Sequence, residues 1–113
     1  MATVFVDIEA KIKPEDLETA RQDYGDFVKI TLDLEIGQMV IGGQWHADGE
    51  KILLNFGSQQ ENIWGGSIDL ATKQIDTIAL INIRPKQNNN SQEILDPKLK
   101  KHFVKVVQRK FKL

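Results

Sequence analysis

The chain has no cysteine, so disulfides, thiolate metal sites and cysteine nucleophiles are all excluded. That lack fits a reducing compartment. No apolar run is long enough to span a bilayer, and Asp7 follows Met1 too closely for a secretory leader. A cytoplasmic location is therefore the expectation. A phosphate-binding loop G-x-x-x-x-G-K is absent, and no G-x-S-x-G surrounds Ser58, which removes the simplest nucleotide-binding and serine-hydrolase readings. No internal repeat or low-complexity linker divides the 113 residues, so one domain spanning 1–113 is expected.

Acid is missing from the last sixteen residues, although the net charge is only −1. Residues 1–97 carry all 16 acids and 8 of the 15 Lys and Arg, leaving −8; the remainder carries +7. Segregation of this kind suits an anionic partner, or a cationic helix complementing its own acidic body. Lys101, Lys105, Arg109 and Lys112 recur along one side of that segment with no interleaved aromatic to stack on bases, since Phe103 belongs to the apolar side. Nucleic-acid binding is thus not expected, nor is a membrane partner. An acidic protein surface, another copy's body included, suits the stripe better.

What is present places the elements. Thr3 to Ile8 alternates as a short strand. Lys13-Pro14-Glu15-Asp16 opens a helix near 14–24, with proline in the first turn, two acids at the positive dipole end and Gly25 as the stop. Val28, Ile30, Leu32 and Leu34 alternate with Lys29, Thr31 and Asp33, which predicts a strand with one solvated face. Ile36-Gly37 turns the chain and Gln38–Gln44 returns antiparallel. For 47–56, Asp48-Gly49 between apolar runs favours a hairpin strand, while Ile52, Leu53 and Phe56 also fit a helix capped by Asp48 and stopped by Gly57. Asn62–Leu70 and Ile75–Ile83 pair across a turn at 71–74. The continuously apolar Ile78-Ala79-Leu80-Ile81 predicts a central, doubly covered strand. Asp96-Pro97 opens a last helix near 96–110, with Leu99, Phe103, Val106 and Val107 as its buried stripe and His102 at its boundary. The sum is an α+β fold: a mostly antiparallel, curved meander of about five strands flanked by an N-terminal and a C-terminal helix.

Three segments hold the candidate chemistry. His46-Ala47-Asp48-Gly49-Glu50 puts three ligating groups at alternate positions, and on an extended strand these share a face. They would suit a metal ion and a metal-assisted hydrolase or nuclease, with Arg84 neutralising a developing oxyanion. Gly57-Ser58-Gln59-Gln60-Glu61 can offer amides and backbone N–H groups, and Trp64-Gly65-Gly66 permits close approach by a flat ligand or another backbone. Arg84 ends an apolar run, where a guanidinium needs an internal carboxylate, Glu50 or Glu61, or an anionic ligand. The favoured reading is a non-catalytic binding or regulatory module. Its polar site holds His46, Asp48, Glu50, Gln60, Glu61, Trp64 and Arg84 and receives a small polar ligand or a protein segment. No catalytic residue, metal or cofactor is assigned to it, and the metal-assisted enzyme is the alternative.

The ordered segments Tyr24-Gly25-Asp26, Gly42-Gly43-x-x-His46-Ala47-Asp48-x-Glu50, Gly57-Ser58-x-Gln60-x-x-x-Trp64-Gly65, Ile81-Asn82-Ile83-Arg84-Pro85 and Asn90-x-x-x-Ile94 resemble a family of small bacterial proteins known only as a domain of unknown function. The likeness spans roughly residues 20 to 109, and several separated motifs in fixed order are more specific than any one alone. The chain departs from the family pattern in carrying Gly49 and Gly66, where bulkier residues are expected. The resemblance implies a compact bacterial cytoplasmic protein and supplies no catalytic residues.

Overall fold

The computed structural model describes residues 2–113. Five antiparallel strands, β1 (Thr3–Val6), β2 (Phe27–Asp33), β3 (Met39–Gly42), β4 (Ile63–Asp69) and β5 (Ile75–Asp76), form one open sheet in the order β1-β3-β2-β4-β5. Three helices accompany them: α1 (Pro14–Tyr24), α2 (His46–Asn55) and α3 (Pro97–Lys110). The α+β architecture follows. Only β2–β3 and β4–β5 are chain-consecutive neighbours, so the meander narrows to two hairpins whose other connections run through helices.

The first and last helices form where the residues ask for them. Pro14 occupies the first turn of α1, and the Asp16 carboxylate reaches back to accept from the Lys13 N–H at 2.8 Å, which satisfies one free donor at the helix start. Gly25 ends that helix at φ 65°, a conformation that costs glycine little. In α3 the Asp96 side chain caps the Lys98 N–H at 2.8 Å, and Phe103, Val106 and Val107 are buried. These residues and Ala20 of α1 share a core with Val28, Ile30 and Leu32 of β2, Met39 and Ile41 of β3, and Trp64 and Ile68 of β4. Lys110 Nζ ties the end of α3 to the loop after β1, donating to the carbonyls of Asp7 at 2.9 Å and Ala10 at 3.1 Å. Among the described residues no helix is long and apolar enough to cross a membrane.

The middle of the chain corrects three expectations. Residues 46–55 are helical, not a hairpin strand. The helix starts at His46, two residues before the expected cap Asp48, and Gly57 lies just beyond its end at φ 95°. Asp48-Gly49 is a turn signal only where a strand has a free neighbour, and β2 is already flanked by β3 and β4. The helix instead covers the sheet's other face, where Leu53 forms a second core with Val40 and Ile63. Gly49 makes this possible: a Cβ there would stand 2.4 Å from Thr31 Oγ1. Gly66 likewise leaves room for the Phe103 ring, so both glycines are contact points between layers.

With α2 on top, Thr31 and Asp33 are buried and β2, not 78–81, is the doubly covered central strand. After β5 the chain leaves the sheet, makes one 3-10 turn at Leu80–Asn82, and exposes Ile78, Leu80 and Ile83. Only half of the apolar run is covered: Ala79 is buried and Ile81 packs against the Leu53 core, while Ile78 and Leu80 face water because the chain has left the sheet after a two-residue edge strand.

Candidate functional site

The three chemistry-bearing segments do meet, through α2, β4 and the 3-10 turn over the sheet. Their side chains mostly hold one another. The Arg84 guanidinium donates to the Glu50 carboxylate at 3.3 Å, to the Gln60 carbonyl at 2.7 Å, to the Ile81 carbonyl at 3.0 Å and to the Ile63 carbonyl. It lies 4.8 Å from the centre of the Trp64 ring, which is itself buried in the core. Burial lowers the Arg84 pKa, partly offset by Glu50. The guanidinium is an internal clasp joining α2, the 60–63 segment and the 81–84 loop. Glu61 takes part only through its backbone carbonyl, which accepts from Gln87 Nε2 at 3.0 Å.

His46, Asp48 and Glu50 do not converge. On a helix, residues two apart point about 200° away from each other, so only His46 and Glu50 share a side. Glu50 is taken by Arg84, and His46 Nε2 lies 2.6 Å from the Gly66 carbonyl. One Asp48 carboxylate oxygen is buried without a hydrogen-bond partner. Among the described residues no three His, Asp or Glu side chains are grouped to hold a metal ion. The shared-face expectation fails because it required a strand.

A carbonyl only accepts, so His46 Nε2 carries the proton of that bond and, in the neutral ring, Nδ1 is left as an acceptor. Burial is the main cause of a lowered His46 pKa; Lys29 lowers it further, while the Gly66 bond and Asp76 oppose. The folded protein therefore takes up this proton less readily than the unfolded chain. Stability from this group is complete above about pH 6.5 and is lost as pH falls from there toward the lower folded value, with a slope of at most about 1.4 kcal/mol per pH unit. Urea melts between pH 5 and 8 on wild type and His46→Gln should show this extra acid sensitivity in wild type only.

The ring reaches the strand because Gly65 has no side chain. A Cβ there would stand 2.9 Å from His46 Cδ2 and 2.6 Å from the Ala79 methyl. Gly65→Ala should lower stability by about 1–3 kcal/mol, as overpacking does, and shift the His46 imidazole NMR signals. The close approach that Trp64-Gly65-Gly66 permits is thus used by the protein itself.

Two asparagines complete the scaffold, and neither was among the expected site residues. Asn82, fully buried, donates from Nδ2 to the carbonyls of Gly65 (2.9 Å), Thr77 (3.1 Å) and Gln92 (2.8 Å) and accepts from the Gly65 N–H (2.8 Å). Asn89 donates to the Asn82, Ser91 and Glu93 carbonyls and accepts from the Leu95 N–H at 2.8 Å. A lone asparagine inside the run Ile78–Ile83 was the available signal for Asn82; the polar loop gave none for Asn89.

Beside this scaffold lies an open groove of about 310 Å³, between the start of α2 and the 78–81 segment. Lys29, Trp45, His46, Ile78, Leu80 and Gln92 are among the residues that line it. Trp45 is 61% exposed and Leu80 65% exposed. Tyr24 and Phe27, also exposed, flank Lys29, whose Nζ stands 5.1 Å and 5.9 Å from their ring centres. Of the expected site residues only His46 borders this groove.

Across residues 6–110 the chain matches the model of a family described as "Protein of unknown function (DUF5674)". The chain belongs to that family. The expected membership of a family of unknown function holds, and the DUF5674 description carries no activity. No curated protein and no solved structure matches the chain. In this DUF5674 member, Glu50, Trp64 and Arg84 build the frame, and Trp45, His46 and Leu80 border the groove beside it.

Proposed function

We propose that this chain is a non-catalytic binding module and that the Trp45–His46–Leu80 groove is where it takes its partner. One observation carries the reading: two large apolar side chains stand open on either rim of a groove with a cation and an imidazole on its wall. Exposed tryptophan and leucine at one place cost solubility and return nothing to folding, and such patches mark interaction sites. The partner is a protein segment that offers an apolar side chain to the groove and a carboxylate to Lys29. His46 Nδ1 adds an acceptor for one backbone or side-chain donor. The groups that suggested hydrolysis are bonded internally, Arg84 to Glu50 and His46 to Gly66, which supports binding over chemistry.

Display of random peptides against the full chain, counter-selected on a Trp45→Ala/Leu80→Ala variant, tests this. Enriched peptides should pair an apolar anchor with Asp or Glu, quench or shift tryptophan fluorescence, and bind Lys29→Gln about tenfold more weakly, equivalent to about 1.4 kcal/mol. Sedimentation of the chain alone shows whether a second copy takes the place instead. Peptides that bind the double variant equally well would overturn the assignment.

A further inference from the structure

A second cavity, of about 370 Å³, opens where the β2–β3 turn meets the loop after α2, and Asp33, Glu35, Ser58, Gln59 and Asn62 line it with Ile36 and Gly57. Asp33 is 1% exposed. Its Oδ1 accepts from the Glu35 N–H at 2.8 Å and the Ile36 N–H at 3.1 Å, which holds the turn. Among the described residues no Lys, Arg or His pairs with this carboxylate, and no basic residue lines the cavity. A buried carboxylate without a counter-charge is costly. Glu35, exposed at the same cavity, adds a second negative charge.

An independent observation comes from the facing loop. Ser58 is only 7% exposed, and its Oγ is buried with no hydrogen-bond partner. A hydroxyl withdrawn from water with no protein partner is completed in a folded protein by an ordered water or a bound ion. Asn62 spends its backbone on Leu34 and Gln59, with Leu34 N–H to Asn62 O at 2.9 Å and Asn62 N–H to Gln59 O at 3.0 Å. Its side-chain amide is not engaged in those bonds.

We infer that this cavity is a site for a hard divalent cation of the calcium class, held by the carboxylates of Asp33 and Glu35 with Ser58 Oγ and the Asn62 amide oxygen. The donor set is all oxygen, with no imidazole or thiolate, which selects Ca²⁺ or Mg²⁺ over zinc and copper. Calcium is favoured within the class because it accepts irregular ligand geometry and a loop-borne carboxylate, whereas magnesium demands a near-ideal octahedron. Two carboxylates are a modest charge for such a site, so affinity belongs at the weak end, a Kd of about 10⁻⁴ to 10⁻³ M. Bound cation would pin the β2–β3 turn to the loop after α2. The site is separate from the groove, so peptide binding and cation binding stand or fall apart.

Isothermal titration of CaCl₂ and MgCl₂ into the full chain at about 0.15 M KCl, where long-range surface charge is screened, tests this together with thermal melts. Calcium should bind saturably and raise the melting temperature, with magnesium weaker. Asp33→Asn keeps an oxygen for the two turn N–H groups while removing the charge, and Glu35→Gln alters an exposed side chain, so both should fold. Each should weaken calcium binding at least tenfold, and Ser58→Ala should weaken it less. No saturable effect of either cation up to about 10 mM, ten times the weak end of protein calcium sites, would overturn the inference. So would calcium binding that Asp33→Asn and Glu35→Gln both leave unchanged.

Discussion

Arg84→Ala should destabilise the fold by about 3–5 kcal/mol, the cost of stranding a buried charge partner. The Arg84 and Glu50 side chains are only 10% and 16% exposed, so the 3.3 Å pair is shielded from screening by water. Removing the guanidinium leaves Glu50 unpaired and takes the donor from the carbonyls of Gln60, Ile81 and Ile63. It also uncovers the Trp64 ring. Urea melts of wild type and variant measure the loss. Arg84→Lys should recover little, because one ammonium cannot spread its donors over four acceptors on three segments. Had Arg84 been waiting for an anionic ligand, its removal would leave stability unchanged or raise it, and that result would reinstate it as a binding residue.

Asn82→Ala is expected to cost a similar amount, about 3–4 kcal/mol. The substitution strips the amide that serves Gly65, Thr77 and Gln92, and each buried backbone group left without a partner costs about 1–3 kcal/mol. Asn82→Asp should be no better: it keeps the acceptor for the Gly65 N–H but loses both donors and buries a charge. Hydrogen exchange distinguishes this loss from that at Arg84. The Asn82 variants should release the 77–95 segment first, with the N–H groups of Gly65, Ala79 and Ile94 losing protection while α1 stays closed. The 78–81 wall of the groove would loosen with them, so peptide binding should weaken even where the chain remains folded.

Both results concern residues that read as candidate ligand contacts or went unnoticed in the sequence. Large losses there, beside small stability effects at Trp45 and Leu80, would separate frame from binding surface.

Local patterns were enough for the ends of the molecule. The capping residues Pro14 and Asp96, the stop at Gly25 and the alternation of β2 each depend on neighbours a few positions away, and each element lies where those neighbours put it. The α+β class was also legible, and so was the need of a lone guanidinium at the end of an apolar run for a carboxylate or an anionic ligand; that Glu50 and not Glu61 answers it was decided by the helix that carries Glu50. Residues 46–55 and 78–83 could not be assigned this way. Asp48-Gly49 favours a hairpin over a helix until β3 and β4 occupy both flanks of β2 and leave room only above the sheet. That one placement buried Thr31 and Asp33, turned Asp48 away from His46 and Glu50, and left Trp45 and Leu80 facing water. Periodicity records which side of an element is apolar; whether another layer covers that side is a long-range fact, settled only by packing.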